Sequence, residues 1–122
     1  MYSKDGENPI AAFAGNFNDK IKKKMRFVFH YISDERNPLK EPHVKHFTIE
    51  KYKRLYELRL KASNTMIRII YFHINEDIVL LHAFVKRDKR DTEQALDYAL
   101  KLIDKIDAEA SDPRELLMEV II

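Results

Sequence analysis

The stretch Thr65–Lys86, TMIRIIYFHINEDIVLLHAFVK, decides the fold of this 122-residue chain. Its first ten residues are mostly β-branched, aromatic or otherwise apolar, which predicts a central β-strand over Thr65–Ile74. Asn75-Glu76-Asp77 supplies a turn. Ile78–Lys86 reads as a second strand, so nearly continuous in apolar character that both of its faces should be covered. One residue breaks the pattern. Arg68 stands among Ile67, Ile69 and Ile70, and a charge inside an apolar strand needs a partner or a use. Upstream, Arg54–Lys61 alternates, with Tyr56, Leu58 and Leu60 on one face and Leu55, Glu57 and Arg59 on the other. Ala62-Ser63-Asn64 turns this strand into the central one, and His43–Thr48 predicts a short strand ahead of it.

Helical spacing flanks these strands. Asn8-Pro9 reads as an N-cap followed by a first helical residue, with Ile10, Phe13, Ala14 and Phe17 on one face and Gly15-Asn16 at the end. Asn18 or Asp19 can cap a second helix whose buried stripe is Ile21, Met25, Val28, Phe29 and Ile32. Two short helices joined so closely predict a hairpin over residues 8–33. The prolines in SDERNPLKEP make residues 33–42 a loop. Asp91 can cap a third helix over 91–109, with Glu93 and Gln94 in its first turn and Ala95, Leu96, Ala99, Leu102, Ile103 and Ile106 as its stripe. Asp112-Pro113 resembles another helix start, and residues 112–122 form an extension. The expected fold is α+β, a single domain over 1–122 with a small twisted antiparallel sheet at 43–87, an N-terminal helical hairpin and a C-terminal helix.

Composition bounds the chemistry. Without cysteine there is no disulfide, no thiolate metal site and no cysteine nucleophile. No apolar run reaches the roughly 18 residues of a membrane span. The N-terminal MYSKDGENPI has no apolar signal core, so the cytoplasm is the expected address. The five histidines show no metal-ligand spacing, and no cofactor is expected. The net charge of +2 hides a division: residues 20–61 hold thirteen bases against five acids, whereas residues 91–122 hold three bases against nine acids. Such asymmetry gives one surface affinity for nucleic acid, with solvated helix faces as the plainer explanation.

The segments EPHVKHF, LYELRL and IRIIYFHINEDIVLLHAFVKR, followed by a capped helix, together resemble the HigB-like, phage-derived branch of the RelE/ParE toxin superfamily. Val44–Phe47, Leu55–Arg59, Arg68–Phe72 and Val79–Arg87 carry the resemblance, which spans residues 41–103 and, more loosely, the helices before them. There are departures. Only Met1–Lys4 stands where the family has a full first strand, so that edge strand should be short or missing. Ala83 replaces a common glycine. Asp88-Lys89-Arg90-Asp91-Thr92 replaces a threonine- and proline-containing run, and its acids should weaken RNA contact locally.

The resemblance implies a RelE-like fold and a toxin that cuts mRNA on the ribosome without a metal: the ribose 2′-hydroxyl attacks the adjacent phosphate and the 5′-oxygen leaves. It also implies a small helix-turn-helix (HigA-like) antitoxin, held in a toxin–antitoxin hetero-oligomer. Arginine suits the charge that develops on the phosphorane, because it stays protonated and forks onto two oxygens. Arg59 and Arg68, on adjacent predicted strands, are the first candidates, with Glu57 as a further catalytic candidate beside them and an ion pair to Glu57 as the structural alternative. Lys86 could contact phosphate or assist proton transfer. His82, on one face with Phe84 and Lys86, could act as acid or base, or sit in the core. Lys45, Lys53, Arg54, Arg87, Lys89 and Arg90 are candidate phosphate contacts. Tyr71 is a candidate for base stacking, with a core place as its alternative. The acidic third helix and the tail residues Leu116, Leu117, Val120 and Ile121 are candidate antitoxin surfaces, unless the tail packs on its own chain. Two other functions stay open on the same fold: a ParE-like inhibitor of DNA gyrase acting by protein contact, and an inactive prophage remnant.

Overall fold

A computed structural model describes residues 2–4, 9–33, 43–62, 64–75, 77–109 and 117–119. The elements run β1 (Tyr2–Lys4), α1 (Pro9–Ala14), α2 (Asp19–Ser33), β2 (Val44–His46), a 3-10 turn at Glu50–Tyr52, β3 (Tyr56–Ala62), β4 (Thr65–Ile74), β5 (Asp77–Val85), α3 (Lys89–Glu109) and β6 (Leu117–Glu119). One sheet takes them in the order β2-β3-β4-β5-β1-β6. The four strands from β2 to β5 are antiparallel meanders, as their short connections require. The turn between β4 and β5 places Asn75 at φ 55°, a left-handed conformation that asparagine tolerates better than most residues.

Two expectations about the sheet are corrected. It is not wholly antiparallel, because β1 lies parallel to β5. Nor is β1 an edge. It is short, as the sequence suggests, but β6 pairs antiparallel outside it, Tyr2 opposite Glu119 and Lys4 opposite Leu117. Three residues of the tail thus satisfy backbone groups that an edge strand would leave open. Asn8, the loop at 34–42 and the helix start at Asp112 lie outside the described residues, as do Leu116, Val120 and Ile121.

Helices cover both faces. On one, Ile10 and Ala14 of α1 and Met25, Val28, Phe29 and Ile32 of α2 pack on Val44, Leu58, Leu60, Ile67, Ile69, Tyr71, Ile78 and Leu80. On the other, Ala95, Leu96, Ala99, Ile103 and Ile106 of α3 pack on Phe47, Tyr52, Leu55, Ile70, Phe72, Val79 and Leu81. This two-sided cover explains the near-continuous apolar reading of β4 and β5, and each fully buried Leu or Ile contributes about 1.5–3 kcal/mol. β5 also carries a bulge. The ladder steps from Ile70 opposite His82 to Tyr71 opposite Leu80, skipping Leu81. Leu81 and His82 therefore share the α3 face, while Leu80 turns to α1 and α2.

The start of α3 differs from the expected one. Asp88 is the N-cap, and its Oδ1 accepts the N–H groups of Arg90 at 2.7 Å and Asp91 at 3.3 Å. Asp91 reaches back, its Oδ2 accepting from Arg87 at 2.7 Å and Asp88 at 3.0 Å. The arrangement is a reciprocal capping box, and it assigns structural work to both acids of the unusual 88–92 run. α2 starts as expected, with Asn18 Oδ1 accepting the Ile21 N–H at 3.0 Å.

Candidate functional site

The alternation of β3 puts Glu57, Arg59 and Lys61 on the α3 face, and the register places Arg59 directly opposite Arg68. Two like charges at such a cross-strand position repel. Glu57, one pleat along on β3 and opposite Ile70, resolves the conflict. Its Oε1 accepts from Arg59 Nε at 2.8 Å and lies 3.7 Å from Arg68 Nε. The Arg68 Nη1 also donates to the Ile67 carbonyl at 3.1 Å. Glu57 is only 1% exposed, and its Oε2 has no hydrogen-bond partner among the described residues. Arg59 keeps 25% of its side chain in solvent and Arg68 keeps 12%. Burial pulls Arg68 below the ordinary guanidinium pKa, Glu57 pushes it up, and Arg59 lowers it again. One buried carboxylate thus serves two guanidiniums.

Arg59 and Arg68 open onto a concavity of about 360 Å3, whose wall is completed by Lys24, His43, Leu60, Lys61 and Met66. Lys24 reaches it from α2 and donates to the Lys61 carbonyl oxygen. His43 enters at the start of β2, where its carbonyl accepts the Arg59 N–H at 2.7 Å and its ring tilts against Tyr31. Lys86 adjoins the site: its N–H bonds the Met66 carbonyl at 2.8 Å, just beyond the end of β5. Among the described residues no acid lines this wall. Four cations around one hollow, two of them anchored by a shared buried carboxylate, can hold a phosphate or another compact anion.

The remaining candidates fall elsewhere. Lys45 stands opposite Glu57 with its ammonium 5.4 Å from the Phe47 ring centroid. Lys53 is paired with Glu50 at 2.7 Å. Arg54 is 3.7 Å from Asp107 of α3 and lies over the Phe72 ring. Lys51 and Tyr52 both engage Asp97, at 3.1 and 2.6 Å, which holds that carboxyl below its usual pKa. The acidic helix thus neutralises much of the 51–54 basic segment. Arg87, Lys89 and Arg90 are exposed around the cap of α3. Tyr71 takes the core place and not the base-stacking one. It is fully buried on the α1/α2 face, stacked on Tyr56 and away from the arginines, so it cannot stack on RNA in this fold.

His82 does lie on the same face as Phe84, but it lines a separate hollow of about 310 Å3 under α3, against Tyr98. Burial lowers its pKa below the ordinary imidazole value, so it is neutral at pH 7. The sequence marks Lys24 only as part of a basic run with general affinity for RNA, and His43, Lys61 and Met66 escaped it as members of the site. Lys61 was within reach of period-two counting from Arg59; the other three meet only through tertiary packing. Among the described residues no group of three His, Cys, Asp or Glu side chains is placed to hold a metal ion.

Residues 13–104, well over half of the chain, match the model of a protein family described as "Phage derived protein Gp49-like (DUF891)". No curated protein and no solved structure matches the chain. No described helix is long and apolar enough to cross a membrane.

Proposed function

The chain belongs to the Gp49-like family of phage-derived proteins, and from that membership, taken with the paired arginines, we propose that it is a RelE-type toxin that cleaves mRNA on the ribosome. The family is associated with RelE and toxin-like proteins. A small sheet with two N-terminal helices on one face and a C-terminal helix on the other fits the RelE-like arrangement that the HigB-like resemblance implies. The observation that carries the reading is the register: Arg59 and Arg68 face each other across β3 and β4, tied to one buried Glu57 at the edge of a basic concavity.

In this reading the RNA phosphodiester rests on the two guanidiniums. The 2′-hydroxyl oxygen attacks phosphorus, the bond from phosphorus to the 5′-oxygen breaks, that oxygen takes a proton from solvent, and the products carry a 2′,3′-cyclic phosphate and a 5′-hydroxyl. Arg59 and Arg68 stabilise charge on the phosphorane from fixed positions. Glu57 acts through them as a positioning residue. Lys24, Lys61 and Lys86 draw neighbouring phosphates. His43 lines the hollow and is the imidazole suited to accept the 2′ proton. A helix-turn-helix antitoxin is the proposed neutralising partner.

Induced expression followed by mapping of mRNA 5′ ends tests the proposal. Wild type should arrest growth and generate new 5′ ends in translated messages. Arg59→Ala and Arg68→Ala should each lower cleavage by about 100-fold or more while remaining folded. Intact mRNA alongside inhibited supercoiling would replace this reading with the gyrase one, and normal growth would leave an inactive protein.

A further inference from the structure

The hollow at His82 has features that the proposed cleavage step does not use. Two of its rings form a shelf: His82 and Phe84 lie nearly parallel, 13° apart in plane with centroids 5.8 Å apart. Tyr98 of α3 closes on His82 edge-on, with centroids at 4.9 Å. Yet Tyr98 is 49% exposed, an unusual place for a large ring that already has an aromatic neighbour. Gln94 brings an exposed carboxamide, with both a donor and an acceptor, to the rim. Asp91 also lines the hollow, but its carboxylate is occupied by the N–H groups of Arg87 and Asp88. The volume of about 310 Å3 admits a planar heterocycle.

Position and charge point to the occupant. Phe84 is directly opposite Arg68 across β4 and β5, so the aromatic shelf begins about 5 Å of backbone away from the guanidinium pair. Beside the shelf, Arg87 of the β5–α3 connection and Lys89 and Arg90 of the first turn of α3 are all exposed. Flat rings beside a cationic track are the elements of a single-stranded RNA site: bases stack and phosphates follow the charges. His82 is uncharged at neutral pH because burial disfavours its imidazolium, so the shelf favours stacking over ion pairing.

We propose that this hollow is a nucleobase subsite. It takes one unstacked base of the RNA strand whose phosphate rests on Arg59 and Arg68, stacks it against Phe84, His82 and Tyr98, and presents Gln94 to its hydrogen-bonding edge. The proposal rests on the ribonuclease reading above and adds the group that selects where the strand is cut.

The test uses the full-length protein with programmed ribosomes and a set of mRNAs that differ in the bases flanking the cleaved phosphate. Wild type should discriminate among them. Tyr98→Ala should raise the apparent KM by about tenfold, the range of one lost base stack, with little change in kcat. Tyr98→Phe should restore it, and Gln94→Ala should flatten the base preference. In parallel, a short single-stranded oligoribonucleotide should shift the ring resonances of Tyr98 and His82 in NMR spectra. Cleavage with unaltered KM and preference in Tyr98→Ala and Gln94→Ala overturns the subsite while leaving the nuclease intact. Loss of binding to a co-expressed protein partner, with RNA cleavage unchanged, also overturns it and makes the hollow a protein-docking surface. Absence of cleavage by wild type defeats the underlying reading instead.

Discussion

Glu57 holds together two charges that would otherwise separate. A carboxylate 1% exposed is costly to bury, and it is tolerated because two guanidiniums share its Oε1. Removing it leaves Arg68, 12% exposed, without its counter-charge. Glu57→Ala should therefore cost about 3 kcal/mol, read as a lower urea midpoint. Adding Arg68→Met to Glu57→Ala should return at least about 1 kcal/mol, since it removes the orphaned charge and fills similar volume. A single variant as stable as wild type would show that the buried pair is not what holds this corner. The ion pair that the sequence left as an alternative to function is present, and both guanidiniums still line the concavity.

The element that most changed meaning is the start of α3. Read along the sequence, Asp88 and Asp91 are acids in a basic neighbourhood and a weakness for RNA contact. In the fold they satisfy four backbone N–H groups between them, and those bonds to Arg87 and Asp88 hold the Asp91 carboxyl below its usual pKa. Asp88→Ala should lower stability by about 1 kcal/mol in urea denaturation, and Asp88→Ser should retain most of it, because serine also caps. If alanine and serine behave alike, the cap contributes nothing. The same helix start positions Gln94 and Tyr98, so its loss should also blunt base discrimination. The bulge at Leu81 has a comparable effect in β5: one skipped residue puts Leu81 and His82 together on the α3 face.

At the scale of the molecule, the +2 net charge says little, and its distribution says much. The acidic α3 lies against the basic segment that follows β2 and pairs off Lys51 and Arg54. Among the described residues, no acid joins the cations on the wall of the arginine concavity. The salt dependence of RNA binding should separate the two groups. Lys24→Ala and Lys61→Ala should each flatten the slope of log affinity against log salt by about 0.7–1. Lys53→Ala, whose ammonium sits 2.7 Å from Glu50, should change it less. Equal effects from all three, measured by fluorescence anisotropy with a labelled oligoribonucleotide, would place the RNA track elsewhere.

Much of this protein is written in local order. Periodicity alone assigns β4 its bounds, separates the two faces of β3, places His82 with Phe84, and marks Arg59 and Arg68 as charges needing an explanation, because alternation and turn chemistry act between residues a few positions apart. What pairs with what across the fold is different. That β1 slips between β5 and β6, that Asp88 outcompetes Asp91 as the cap, and that Lys24 and His43 meet Arg59 around one hollow all depend on contacts between distant segments. Their energies are settled only when both helical layers close on the sheet, and no local pattern records that closure.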